Sequence, residues 1–91
     1  MQSYVLIHTE AGRARAVAEE ARRISDVVFA EVVQGPYDVV VRAESRTLGE
    51  LSHGVIAPLQ SIPGVIRTVA CPSVAHRALW DEELEPAYAA R

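Results

Sequence analysis

The sequence predicts an α+β domain with the element order β-α-β-β-α-β. Three observations carry this: four short runs of β-forming residues, two intervening stretches with apolar residues at helical spacing, and Gly/Pro punctuation where the runs change direction. A chain of 91 residues is one domain, and a domain that small buries only about 60–65% of its unfolded surface. A second subunit would therefore help to stabilise it.

Tyr4 to Thr9 is the first strand, an apolar run that Gly12 breaks. From Arg13 to Arg23 the apolar residues Ala14, Val17, Ala18, Ala21 and Ile24 fall on one helical face, with most of the charge off it. Ser25-Asp26 ends this helix with turn chemistry. Val27 to Gln34 is the second strand. The turn Gly35-Pro36-Tyr37-Asp38 leads into the third strand, Asp38 to Ala43, so the two form a hairpin. Thr47-Leu48-Gly49-Glu50 has the form of a capping box and opens the second helix. Leu48, Leu51, Val55, Leu59 and Ile62 continue it, and Pro58 is expected to kink or shorten it. Pro63-Gly64 ends the helix, and Val65 to Cys71 is the fourth strand. Ile24-Ser25-Asp26-Val27 and Ile62-Pro63-Gly64-Val65 occupy equivalent places in the two halves. The whole is a ferredoxin-like unit, a four-stranded antiparallel sheet with both helices on one face. It takes residues 1–74. Residues 75–91 form a C-terminal tail, with room for a short helix carrying Trp80 and Leu84.

With helices on one side, the other side of the sheet should turn polar if it meets water. It does not do so cleanly. Val5 and Ile7 oppose Tyr4 and Leu6; Val39 and Val41 oppose Val40; Val27, Phe29 and Val33 oppose Val28 and Val32. An apolar face of several hundred Å² is rare on a soluble monomer. A second copy related by a two-fold axis is the simplest cover; the tail folding over the face is the alternative.

Composition excludes several classes. Apolar residues make up 49% and charged residues 23%, with a net charge of −3 and interspersed signs, so there is no basic stripe for nucleic acid. No stretch approaches a membrane span or a signal segment, and a cytoplasmic location is expected. Cys71 is the single cysteine; it forms no intrachain disulfide and is expected to be a buried small hydrophobe. His8, His53 and His76 make no local metal pair. No phosphate loop, nucleotide fingerprint or nucleophile elbow is present, so neither a cofactor nor a catalytic constellation is expected.

The order of elements, Gly35-Pro36-Tyr37-Asp38 between strands two and three, Ile62-Pro63-Gly64-Val65 with Arg67 and Thr68, the opening Tyr4-Val5-Leu6-Ile7 and Thr9-Glu10-Ala11-Gly12 together resemble the ligand-binding (RAM) domain of Lrp/AsnC transcription regulators. The resemblance covers roughly residues 3 to 74. It implies an effector domain that dimerises sheet to sheet as an α/β barrel, with dimers commonly assembling to an octamer and an amino acid bound near the hairpin turn. With the first strand starting at residue 4, no helix-turn-helix is expected, so any regulatory role would be indirect, through ligand sensing or hetero-assembly with a full-length regulator.

The turn would be the ligand loop. Gly35 lets a carboxylate approach the backbone, Asp38 can accept from an α-ammonium, Gln34 offers an amide, and Tyr37 offers a ring with a polar tip. Pro36 fixes the turn. Thr68 and Ser73 are further candidates. Beside these roles stand plainer ones: Gly-Pro makes the turn, Asp38 ties down its backbone, and the hydroxyls bond to nearby backbone. Two other functions remain open. One is a dimeric α/β-barrel enzyme of monooxygenase or isomerase type, with His8 or His53 converging on Asp38 or Tyr37. The other is a pure oligomerisation module for a full-length regulator.

Overall fold

Alternation in the first strand sets the arrangement. In β1 (Gln2–Thr9), Ser3, Val5, Ile7 and Thr9 are buried, while Tyr4, Leu6 and His8 project to the opposite side. The computed structural model of the chain describes residues 1–73; the tail expected at 75–91 lies outside them. β2 (Val27–Val32), β3 (Val39–Glu44) and β4 (Val65–Pro72) complete one sheet of order β2-β3-β1-β4, antiparallel throughout. Val5 stands opposite Val41 and Ala70, and Ile7 opposite Val39 and Thr68.

The helices cover the Val5/Ile7 face. α1 (Ala14–Ala21) buries Val17, Ala18 and Ala21. The second helical segment begins with α2 (Leu48–Leu51), passes through a π-helical turn (Ser52–Ile56) and ends in α3 (Ala57–Gln60), burying Leu51, Val55 and Leu59. These side chains close one core with Val5, Ile7, Ala30, Val39, Val41 and Ala43, and Ile24, Val27, Ile62 and Val65 pack at its margin. Full burial of each such aliphatic side chain contributes about 1.5–3 kcal/mol.

Three expectations change. Pro58 does not cut short the helix, which runs on to Gln60. The chain widens before it, with Ala57 N–H donating to Ser52 C=O across five residues, and Pro58 then stands in the first turn of α3, where a helix does not use the missing N–H. Leu48, expected on the buried side, is 62% exposed; it is the first residue of α2. The facing of β2 also shifts. A bulge between Val27 and Phe29 leaves Val28 supernumerary, so Val27 and Ala30 turn toward the helices and Phe29 and Glu31 away from them. Phe29 therefore does not share a face with Val27.

The echo between the two halves is structural. Val27 N–H donates to Ile24 C=O at 3.0 Å, and Val65 N–H to Ile62 C=O at 3.2 Å, so both helices return to the sheet through the same turn. Gly64 has φ +98°, and a Cβ there would sit 2.9 Å from the Arg13 side chain. Glycine is required on both counts. The capping box forms with an offset. Thr47 Oγ1 accepts from Glu50 N–H at 3.0 Å, but the Glu50 carboxylate reaches back to Arg46 N–H at 3.1 Å. That hydrogen bond, with the Arg46 charge beside it, holds the Glu50 carboxyl below its ordinary pKa.

The two edge strands differ. On β2, Arg22 Nε donates to Ala30 C=O at 2.9 Å and occupies an outward-facing acceptor of the edge. On β4 the helix-side contact is Gln60 Nε2 to Thr68 Oγ1, 3.1 Å. No helix among the described residues is long and apolar enough to cross a membrane.

Candidate functional site

Three chain segments meet at one end of the sheet: the close of β1, the turn between β2 and β3, and the start of β4. Asp38 joins the first two. Its N–H donates to Ile7 C=O at 2.9 Å, its C=O accepts from Val33 N–H at 2.9 Å, and its Oδ2 accepts from Thr9 N–H at 2.8 Å. The same Oδ2 lies 3.2 Å from His8 Nδ1. An acceptor there favours a proton on Nδ1 and leaves Nε2 as the free edge of the ring. Asp38 thus has the plainer role read from the sequence, tying down the turn, and also orients a histidine.

Beside this junction is an open depression of about 320 Å³ lined by His8, Pro36, Tyr37, Ile66 and Arg67. His8 and Arg67 are cross-strand partners in β1 and β4. Ile66, 57% exposed, is the residue left without a partner where the β1–β4 register shifts between His8 and Thr9. The site therefore combines a guanidinium, an oriented imidazole, a phenol and apolar surface. It suits a small ligand with a carboxylate at one end.

The structure gathers some of the residues expected from the sequence and separates others. Pro36 and Tyr37 line the depression and Asp38 supports it. Gln34 and Gly35 are exposed in the turn itself. Thr68 is on the helix side of β4, bonded to Gln60. Ser73 N–H donates to Gln2 C=O at 2.8 Å, at the far end of β1, about 20 Å from the turn at strand spacing. Ile66 and Arg67 were not among the expected site residues; His8 was expected there only in the enzyme reading, converging on Asp38 or Tyr37, and the structure does place it against Asp38. The signal that finds them is register: in this topology the end of β1 and the start of β4 flank the hairpin.

The other histidine that is described, His53, is exposed in the π-helical turn and far along the chain from this cluster; His76 lies outside the described residues. No group of three or more His, Cys, Asp or Glu among the described residues could hold a metal ion. Cys71 is exposed, contrary to the expectation of burial, because it stands on the face of β4 that no helix covers, opposite Tyr4.

A family model described as the Lrp/AsnC ligand binding domain matches residues 2–76. The chain belongs to that family. The Lrp/AsnC ligand-binding domain is a regulatory domain rather than an enzyme family, and the four-stranded antiparallel sheet with helices on one face is its arrangement. Among solved structures, the chain is similar to TTHA0845 of Thermus thermophilus, at 28% identity over 82% of this chain and 94% of that one, with a TM-score of 0.77. It is also similar to the hypothetical protein PHS023 of Pyrococcus horikoshii, at 27% identity over 85% and 93%, with a TM-score of 0.74. The transcriptional regulator NMB0573 of Neisseria meningitidis, solved as an L-Met complex, shares the fold at 22% identity and a TM-score of 0.65. The match covers 82% of this chain and 52% of that regulator, so the Lrp/AsnC domain described here spans about half its length. No curated protein matches the chain.

Proposed function

We propose that this Lrp/AsnC domain is an effector-binding module whose ligand is an amino acid seated in the depression beside the hairpin turn. The observation that carries the reading is the convergence of His8, Tyr37 and Arg67 on one small concave site braced by Asp38. Arg67 takes the ligand carboxylate, the Tyr37 ring and Ile66 pack against its side chain, and Asp38 keeps the turn closed around it. Gln34 and Gly35 reach a ligand held between this turn and a neighbouring copy. Thr68 and Ser73 enter the site only where a neighbouring copy presents them. The L-Met bound to NMB0573 supports an amino acid as the ligand class.

The domain works as a homodimer formed through the open sheet face, with assembly of dimers toward an octamer, and its regulatory effect is indirect. A net charge of −3 with interspersed signs supports action through protein contacts rather than DNA. A full-length Lrp/AsnC regulator is the natural partner for such contacts, in the cytoplasm.

Thermal shift against the twenty amino acids and their 2-oxo acids tests the reading. A ligand that binds only the native state stabilises it by about 2.7 kcal/mol at one hundred times its dissociation constant. At least one amino acid should raise the melting temperature, and Arg67→Ala should abolish that rise. A flat response across the series would remove the amino-acid role.

A further inference from the structure

We propose that Arg42 of each protomer pairs with Glu31 of a second copy laid on its open sheet face, so that two reciprocal ion pairs fix the register and make the association self-selective. This rests on the sheet-to-sheet dimer proposed above.

The starting point is a cation in an unusual place. Arg42 lies in the interior of the open face, opposite Tyr4 on one side and Phe29 on the other. Around it the same face carries Leu6, Val40 and Val69. The Arg42 guanidinium carbon is 5.5 Å from the Phe29 ring centroid, a stacking distance. Its Nε is buried and makes no hydrogen bond. The ion pairs among the described residues are His8–Asp38, Arg23–Glu20 and Arg46–Glu50, and none involves Arg42.

In a single protomer, water can reach the outer edge of the guanidinium. A second copy on this face removes that water. An aromatic ring attracts a guanidinium but accepts none of its in-plane hydrogen bonds, and an unpaired charge left in an apolar interface is strongly destabilising. Association through this face therefore requires an acceptor opposite Arg42.

In a two-fold assembly, the surface opposite is the same surface. Among the described residues it offers few carboxylates. Asp38 is already bonded to Thr9 and His8. Glu44 ends β3, in a polar hollow with Asp26, Arg46 and Glu50. Glu31 remains. It stands opposite Val40 on β2, at the sheet edge where the apolar area meets the hollow bordered by Arg15 and Arg22 of α1, exposed and without an ion-pair partner among the described residues. Within one chain, Glu31 is only a diagonal neighbour of Arg42, and the two are not bridged. Across a two-fold axis, one cation and one anion per face satisfy each other twice. A related chain with different residues at these two positions would meet an unpaired charge, and that is how specificity arises.

Sedimentation of wild type, Arg42→Glu and Glu31→Arg, alone and mixed, tests the pairing. Circular dichroism on each variant establishes that its protomer is folded. Each reversal places like charges opposite each other twice, and self-association should weaken by at least about a hundredfold. The equimolar mixture restores both pairs and should recover a heterodimer within about tenfold of wild-type affinity. If either variant dimerises like wild type, or if the mixture stays monomeric, the pairing is wrong while the dimer stands. A monomeric wild type would overturn the dimer and the pairing together.

Discussion

Ile7 and Leu6 are neighbours in β1, yet Ile7 is fully buried beneath the helices while Leu6 looks out between Val40 and Val69. The same alternation runs through β3, where Val39 and Val41 are sealed and Val40 and Arg42 are not. One face of the sheet is a finished core. The other is nearly as apolar, but it holds Arg42 within it and is bordered by charge: Glu31 on β2, and His8, Asp38 and Arg67 at the hairpin end. The covered side makes the domain fold, and the uncovered side carries the proposed ligand site and the proposed contact with a second copy.

The largest expected effect separates the two sides most sharply. Ile7→Ala should cost about 2–5 kcal/mol in urea unfolding, because the site is enclosed and cannot collapse around the missing atoms. Leu6→Ala, one residue away, should cost the protomer far less and register mainly as weaker association by sedimentation. Comparable unfolding losses in both would mean that the open side is also packed within one chain. Val40→Lys comes next. It should abolish the dimer by light scattering while leaving protomer unfolding within about 0.5 kcal/mol of wild type, as for a substitution away from the core. A dimer of unchanged mass would show that this side is not the interface.

Asp38→Ala is a smaller perturbation with two readouts. Removing the acceptor of Thr9 N–H should cost about 1–2 kcal/mol. It should also free the His8 ring and weaken amino-acid binding in calorimetry. Loss of stability with unchanged affinity would confine Asp38 to tying down the turn. The smallest effect belongs to the helical layer. The Glu50 carboxyl is held below its ordinary value by Arg46 N–H, so its folded pKa is depressed. Its contribution is then complete above the unfolded pKa of about 4.5 and fades as pH falls through the lower folded value. In acid titrations, Glu50→Gln should slightly flatten the low-pH limb of the stability curve and leave neutral pH nearly unchanged. An identical acid limb would show that the cap contributes nothing.

Much of the covered face was legible in the sequence, because burial demands a strict period. The sequence groups Val5 with Ile7, Val39 with Val41, and Val17, Ala18, Ala21, Leu51, Val55 and Leu59 along the helix faces; the structure shows that these groups share one core. The bulge was not legible. Val27, Val28 and Phe29 are all good strand formers, so nothing in their chemistry says which one is left without a partner, and the facing of Phe29 depends on it. The π-helical turn before Pro58 was hidden for a similar reason, since a proline announces a missing donor but not how the chain accommodates it. At the candidate site, Gly35-Pro36-Tyr37-Asp38 marked the turn. The contribution of His8 and Arg67 appears only when pairing sets β1 against β4. Ser73, a further candidate at the end of the last strand, lies away from the turn because an antiparallel strand carries that end to the far end of β1.

Cys71, the chain's single thiol, opens onto the uncovered side of the sheet opposite Tyr4. Nature has thereby left a chemical footprinting probe on the surface that matters. A maleimide dye should react with it quickly in dilute protein and slowly in concentrated protein, and the crossover would report the strength of self-association without any added label or mutation.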